Sequence, residues 1–134
     1  MVRALFLLVL VCLTACVPKN SPTSKCHEEF LGVADPWSCT VSAETVDAVS
    51  YLSFTTESRN KVAQVKLSLF VAKGTLKLGY VDVAGEQHAV VAEGAPLTLE
   101  MQAPMQPQRR SFSLSFEPQG KVEGLTGTVS YSTP

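Results

Sequence analysis

The chain has 134 residues, of which 46% are hydrophobic and 17% charged. That length is the length of one domain. The formal net charge of -1 supplies no basic field to hold nucleic acid.

The first element is the N-terminal apolar run. Arg3 is a short positive n-region, and residues 4–14 form an almost unbroken apolar run with no charge. A helix needs ~20 apolar residues to span a bilayer, so this run reads as the h-region of a secretory signal peptide. It ends in "LTAC", residues 13–16. This stretch resembles the lipobox of bacterial lipoproteins: Leu, a small or apolar residue, a small residue, then Cys. The resemblance covers residues 1–16 alone. It implies cleavage before Cys16 and acylation of that cysteine. Cys12 follows the bulky Val11 where the peptidase wants a small residue, so it leaves with the signal peptide. Two or more acyl chains hold a protein stably, at ~0.8 kcal/mol per buried methylene. In enterobacterial lipoproteins Asp after the lipidated cysteine marks inner-membrane retention. Val17 therefore points to the outer membrane, with the domain in the periplasm or cell envelope.

Residues 17–25, "VPKNSPTSK", have a composition that does not support packing. They read as a spacer of at most ~30 Å. The expected division is therefore a signal peptide over 1–15, a lipidated cysteine with flexible tether over 16–25, and a domain over 26–134. Cys26 and Cys39 follow, and in an oxidising compartment they are expected to form a disulfide. Their spacing, with His27 and His88 as the other candidates, matches no compact zinc pattern. No metal and no cofactor is expected.

From Cys39 onward hydrophobicity alternates with period two. Trp37, Cys39, Val41 and Ala43 share one face of an extended segment. Residues 42–49 read either as a short helix begun by a serine cap or as a turn near Val46 and Asp47; the turn is preferred. Residues 48–56 are β-branched and aromatic, a strand by composition. In residues 61–73, Ala63, Val65, Leu67, Leu69 and Val71 alternate with Gln64, Lys66, Ser68 and Phe70. Gly74 is read as a turn, and Leu76, Leu78 and Tyr80 then share a side. A hairpin signal at residues 84–86 follows. Later, Leu97, Leu99 and Met101 face one way; so do Phe112, Leu114 and Phe116, and finally Leu125, Val129 and Tyr131. Seven or eight short strands separated by turns argue an all-β fold, an antiparallel sandwich or barrel stapled by one disulfide.

The chemistry-bearing residues are sparse. There are two histidines. His27 beside Glu28 and Glu29 belongs to an extended chain whose neighbours point to opposite faces, so the three do not converge locally. His88 falls on the second strand of a hairpin. No G-x-S-x-G, HExxH, Walker or dinucleotide motif occurs, and Asp82 with Glu86 falls short of a calcium site. No enzyme is expected. Two surface features stand out. Ser111, Ser113, Ser115, Thr126, Thr128, Ser130 and Ser132 would make a flat hydroxyl-rich face if their two segments pair. Phe70 shares a face with Lys66 and Ser68, and Phe30 and Trp37 lie in the disulfide loop. Phe70, Trp37, Ser113 and Thr128 are the candidate partner or ligand surface. The expected function is a membrane-anchored, non-enzymatic accessory lipoprotein that binds another envelope protein. The alternative is a carbohydrate- or peptidoglycan-binding module, by analogy with other small extracellular β-sandwiches.

Overall fold

A computed structural model describes residues 20–28, 37–56 and 60–133. The expected signal peptide with Cys12, the expected lipidation site Cys16, Val17, Glu29 and Phe30 lie outside the described residues. Seven strands follow one another: β1 (Thr23–Glu28), β2 (Trp37–Val46), β3 (Ser50–Thr55), β4 (Val62–Asp82), β5 (Gly85–Val91), β6 (Leu97–Pro104) and β7 (Ser111–Ser132). All pair antiparallel within one sheet.

The fold is organised by a ribbon of two long strands. β4 has 21 residues and β7 has 22, and they pair along most of their length. At one end β2 joins β7, β1 joins β2 and β6 joins β4, giving a layer in the order β1-β2-β7-β4-β6. At the other end β3 joins β7 and β5 joins β4, giving β3-β7-β4-β5. The two layers meet at a corner where the register shifts between Lys73 and Thr75. Gly74 has φ 88° and Gly120 has φ 78°, conformations that side-chain-bearing residues rarely adopt. A Cβ on Gly74 would collide with the carbonyl oxygen of Lys121 on the partner strand. A bulge with glycines bends a strand and raises its twist, so the sheet folds over and its two inner faces share one core.

That core follows the alternation. Leu67, Leu69 and Val129 from the five-stranded layer and Leu76, Leu78, Leu114 and Phe116 from the four-stranded layer are at most 2% exposed. At the end away from the corner, Tyr131 meets Phe112 edge-on at 5.1 Å and Phe54 at 6.0 Å. Its hydroxyl donates to the Thr55 carbonyl at 2.6 Å, which ties the layers together. Across the same end the amide of Val83, at the β4–β5 turn, donates to the Gln102 carbonyl at 3.1 Å.

Three features differ from the sequence expectation in detail. Gly74 bends one strand instead of separating two, and the segments holding Phe112 and Leu125, expected as separate short strands, are one strand, β7. Residues 23–25, expected in the tether, belong to β1, because Thr23, Ser24 and Lys25 pair with Ser42, Val41 and Thr40. The turn between β2 and β3 lies where expected, just after Val46. The disulfide joins Cys26 to Cys39, which stand directly opposite each other with Cα atoms 4.0 Å apart. Among the described residues no helix is long and apolar enough to cross a membrane.

Candidate functional site

The outer face of the β3-β7-β4-β5 layer carries the most distinctive surface. In β3 the inward Leu52 and Phe54 leave Tyr51 and Ser53 facing out, and the Tyr51 ring is 70% exposed. Register places Tyr51 beside Ser115, Ser115 beside Gly79, and Gly79 beside His88. Gly79 opens a gap in that row. A Cβ there would overlap the Ser115 hydroxyl and stand 3.4 Å from His88 Nδ1. The glycine therefore lets a hydroxyl and an imidazole lean toward the same point from opposite sides, the close approach that an isolated strand glycine often marks. The result is a notch of about 210 Å³ lined by Tyr51, Gly79, Glu86, His88, Ser113 and Ser115.

The neighbouring rows give the notch a border of exposed valines interspersed with charged residues. Val81 pairs with Glu86, and Val90 pairs with Lys77. Val81, Val90 and Val49 are each about half exposed, and Val49 immediately precedes β3. Lys77 forms an ion pair with Glu117 at 3.9 Å on the same face. Ser113 and Ser53 are hydrogen-bonded through their hydroxyls at 3.0 Å. An exposed phenol ring, hydroxyls, an imidazole and a carboxylate beside exposed valines suit recognition. The ring offers a stacking or anchoring surface, and the polar groups supply orientation.

The structure distributes the sequence-predicted residues over different surfaces. Phe70 is 36% exposed on the outer face of the other layer, beside Thr126. Thr128 lies on that same face in a row of Lys25, Thr40, Thr128, Ser68 and Thr98 that crosses five strands. Ser113 belongs to the four-stranded layer. The two hydroxyl-bearing segments do not pair with each other. They are the two arms of β7, and the corner sends them to different layers. Trp37 is half-buried on the inner side and stacks on Tyr131 at 6.3 Å; its Nε1 is buried without a partner. It borders a crevice of about 480 Å³ at the end away from the corner, together with Tyr131, Val65 and Met101. These four form one cross-strand row. His27, across from Ser38 in β1, is in a different layer from His88. Among the described residues no three His, Cys, Asp or Glu side chains gather to hold a metal ion.

Sequence reasoning passed over Tyr51 and Gly79. Both had a signal: Tyr51 occupies the outward phase of its strand, and Gly79 interrupts an otherwise regular one. What was missing is the register that places residues 51, 79, 88 and 115 in one line.

No family model matches the chain, and no curated protein does. Among solved structures it is similar to hydroxypropylphosphonic acid epoxidase from S. wedmorenis, with 16% identity and a TM-score of 0.38 over 69% of this chain and 42% of that one. It is similar to a structure of disulfide-linked pili of Bacillus endospore appendages, with 15% identity and a TM-score of 0.42 over 88% and 95% of the two chains. The EutQ protein of Clostridium difficile matches with 10% identity and a TM-score of 0.32 over 83% and 69%. The chain spans about two fifths of the length of the epoxidase. These likenesses assign it no activity.

Proposed function

We propose that this chain is a non-enzymatic accessory lipoprotein of a bacterial envelope, anchored through acylated Cys16 in the outer membrane. In this reading it docks another envelope protein through the outer face of the β3-β7-β4-β5 layer. The observation that carries the docking surface is the gathering of Tyr51, Val81, Val90 and Val49 on one face around the Gly79 notch. A large exposed aromatic beside apolar side chains and a few placed polar groups is the composition of an interface hot spot. The "LTAC" motif carries the anchor. The test is photo-crosslinking in intact envelopes. Tyr51→p-benzoylphenylalanine is expected to give a discrete adduct, and Thr128→p-benzoylphenylalanine on the opposite layer is not. Equal adducts from both positions, or none from position 51, refute the docking surface. Loss of palmitate labelling in Cys16→Ala tests the anchor separately.

A second reading is favoured by one observation: the Tyr51 ring lies beside hydroxyls, an imidazole and a carboxylate, a set that also fits a sugar ring. Titration with soluble peptidoglycan fragments decides it. Amide shifts confined to Tyr51, Gly79, His88 and Ser115 support a glycan site, and unshifted amides remove it.

A further inference from the structure

The position at which the chain enters the domain bears on how the domain stands on a membrane. Asn20 is pinned against the end of β2: its side-chain amide donates to Asp47 Oδ2 at 3.3 Å, and the Thr45 hydroxyl donates to Asn20 Oδ1 at 2.9 Å. Pro22 is buried, and Thr23 then enters β1 opposite Ser42. The N-terminal chain is thus fastened to the corner end, beside the β2–β3 turn that carries Val49. Asn20 lies four positions after Cys16, a reach of at most about 14 Å. The other end lies ten residues of β2 away, at Trp37, about 30 Å at ~3.3 Å per residue. The β4–β5 turn belongs to that far end: Val83 bonds to Gln102, which pairs with Gln64, which pairs with Ser132 beside Tyr131.

We propose that the domain stands end-on at the bilayer, with the β2–β3 turn and Val49 at the lipid interface and Val83 at the distal tip. This rests on lipid attachment at Cys16. The reach is shorter than the domain, so the corner end stays near the bilayer and the distal end cannot take its place there. Charge does not set the orientation. Lys73 and Lys121 at the corner both pair with Glu123, and Glu44 and Asp47 are exposed nearby. The contact is apolar: Val49, the last residue of the turn, is 54% exposed.

The experiment uses the full lipidated chain in vesicles of phosphatidylethanolamine and phosphatidylglycerol containing a lipid with a nitroxide headgroup. Val49→Cys and Val83→Cys each carry a fluorophore; the two native positions are similarly exposed, at 54% and 61%. Position 49 is expected to be quenched several-fold more strongly than position 83. Adding Asn20→Ala and Thr45→Ala is expected to shrink that ratio while the protein still sediments with vesicles. Equal or reversed quenching in the sedimented protein overturns the orientation and leaves the anchor standing. A ratio unmoved by the two alanines overturns the pinning as its cause. Protein that does not sediment overturns the anchor, and the orientation with it.

Discussion

Tyr131→Phe tests how the two layers are joined. Tyr131 is 3% exposed and sits near the end of β7. Its ring packs against Trp37, Phe54 and Phe112, all of which phenylalanine preserves. What the substitution removes is the hydroxyl that donates to the Thr55 carbonyl at 2.6 Å. A hydrogen bond of this kind contributes about 0.5–1.5 kcal/mol net, and stranding a buried partner adds more. Thr55 is an exposed edge residue, so water can reach its carbonyl and the loss should be about 1 kcal/mol. For a domain of this size that is a fall of roughly 4 °C in Tm. The chain has one tryptophan, stacked on Tyr131, so urea unfolding is read directly from Trp37 fluorescence. A pH series adds a second signature. Burial pushes the Tyr131 phenol up from the ordinary 10.0 to about 12. Between these values the unfolded chain releases a proton that the folded chain keeps, so deprotonation favours unfolding. The contribution is fully present below pH 10 and is lost as pH rises through about 12. The stability difference between the native protein and Tyr131→Phe should therefore shrink over that range. An unchanged urea midpoint at pH 7, or a difference that stays constant from pH 9 to 12, refutes the buried link.

Replacing Cys26 and Cys39 together by serine should cost about 3 kcal/mol, given a closed loop of about this length, and should be matched by the native chain under reductant in the same urea titration. Gly74→Ala and Gly94→Ala both place a side chain at positive φ, 88° and 70°. Only the first collides with backbone, whereas nothing lies within 4 Å of a Cβ at position 94. Gly94→Ala should cost about 1–2 kcal/mol and Gly74→Ala clearly more, read from the two midpoints. Leu69→Ala, at 0% exposure, should cost about 2–5 kcal/mol, whereas Phe70→Ser on the adjacent, partly exposed outward position should cost about 1 kcal/mol. Comparable losses at both would mean that β4 is buried on both faces.

The inward residues of each strand were legible because burial imposes a period of two. The corner was legible only as an interruption. In β4 the inward set runs Ala63 to Val71 on odd positions and resumes at Leu76 and Leu78 on even ones; in β7 it runs Phe112 to Phe116 on even positions and ends at Leu125, Val129 and Tyr131 on odd ones. A change of phase around glycine looks the same in a sequence whether the chain reverses or only bulges. Pairing partners decide between them, and those lie far away in sequence: Leu78 pairs with Phe116, and Val71 with Leu125. The candidate site was hidden for the same reason. Tyr51, Gly79, His88 and Ser115 come from four strands, and each alone is an ordinary strand residue. The serine and threonine segments were grouped by composition, which carries no information about which layer each arm of β7 enters.

The proposed orientation constrains the proposed partner. Tyr51 is two residues from Val49 along β3, about 7 Å of extended chain, whereas Val83 is at the opposite end. With Val49 at the lipid interface, the notch lies low on an upright side of the domain. A partner that reaches Tyr51 must then approach laterally and close to the bilayer, which a protein resident in the same membrane does readily. A glycan network standing off the membrane would instead meet the distal end, where Val83, Met101 and Trp37 border the crevice. Crosslinkers at position 51 and at position 83 therefore separate the readings beyond a simple yes or no. Adducts to a membrane-extracted protein from position 51 alone fit lateral docking. Adducts from position 83 alone would move the recognition surface to the distal end and leave the Gly79 notch without a role.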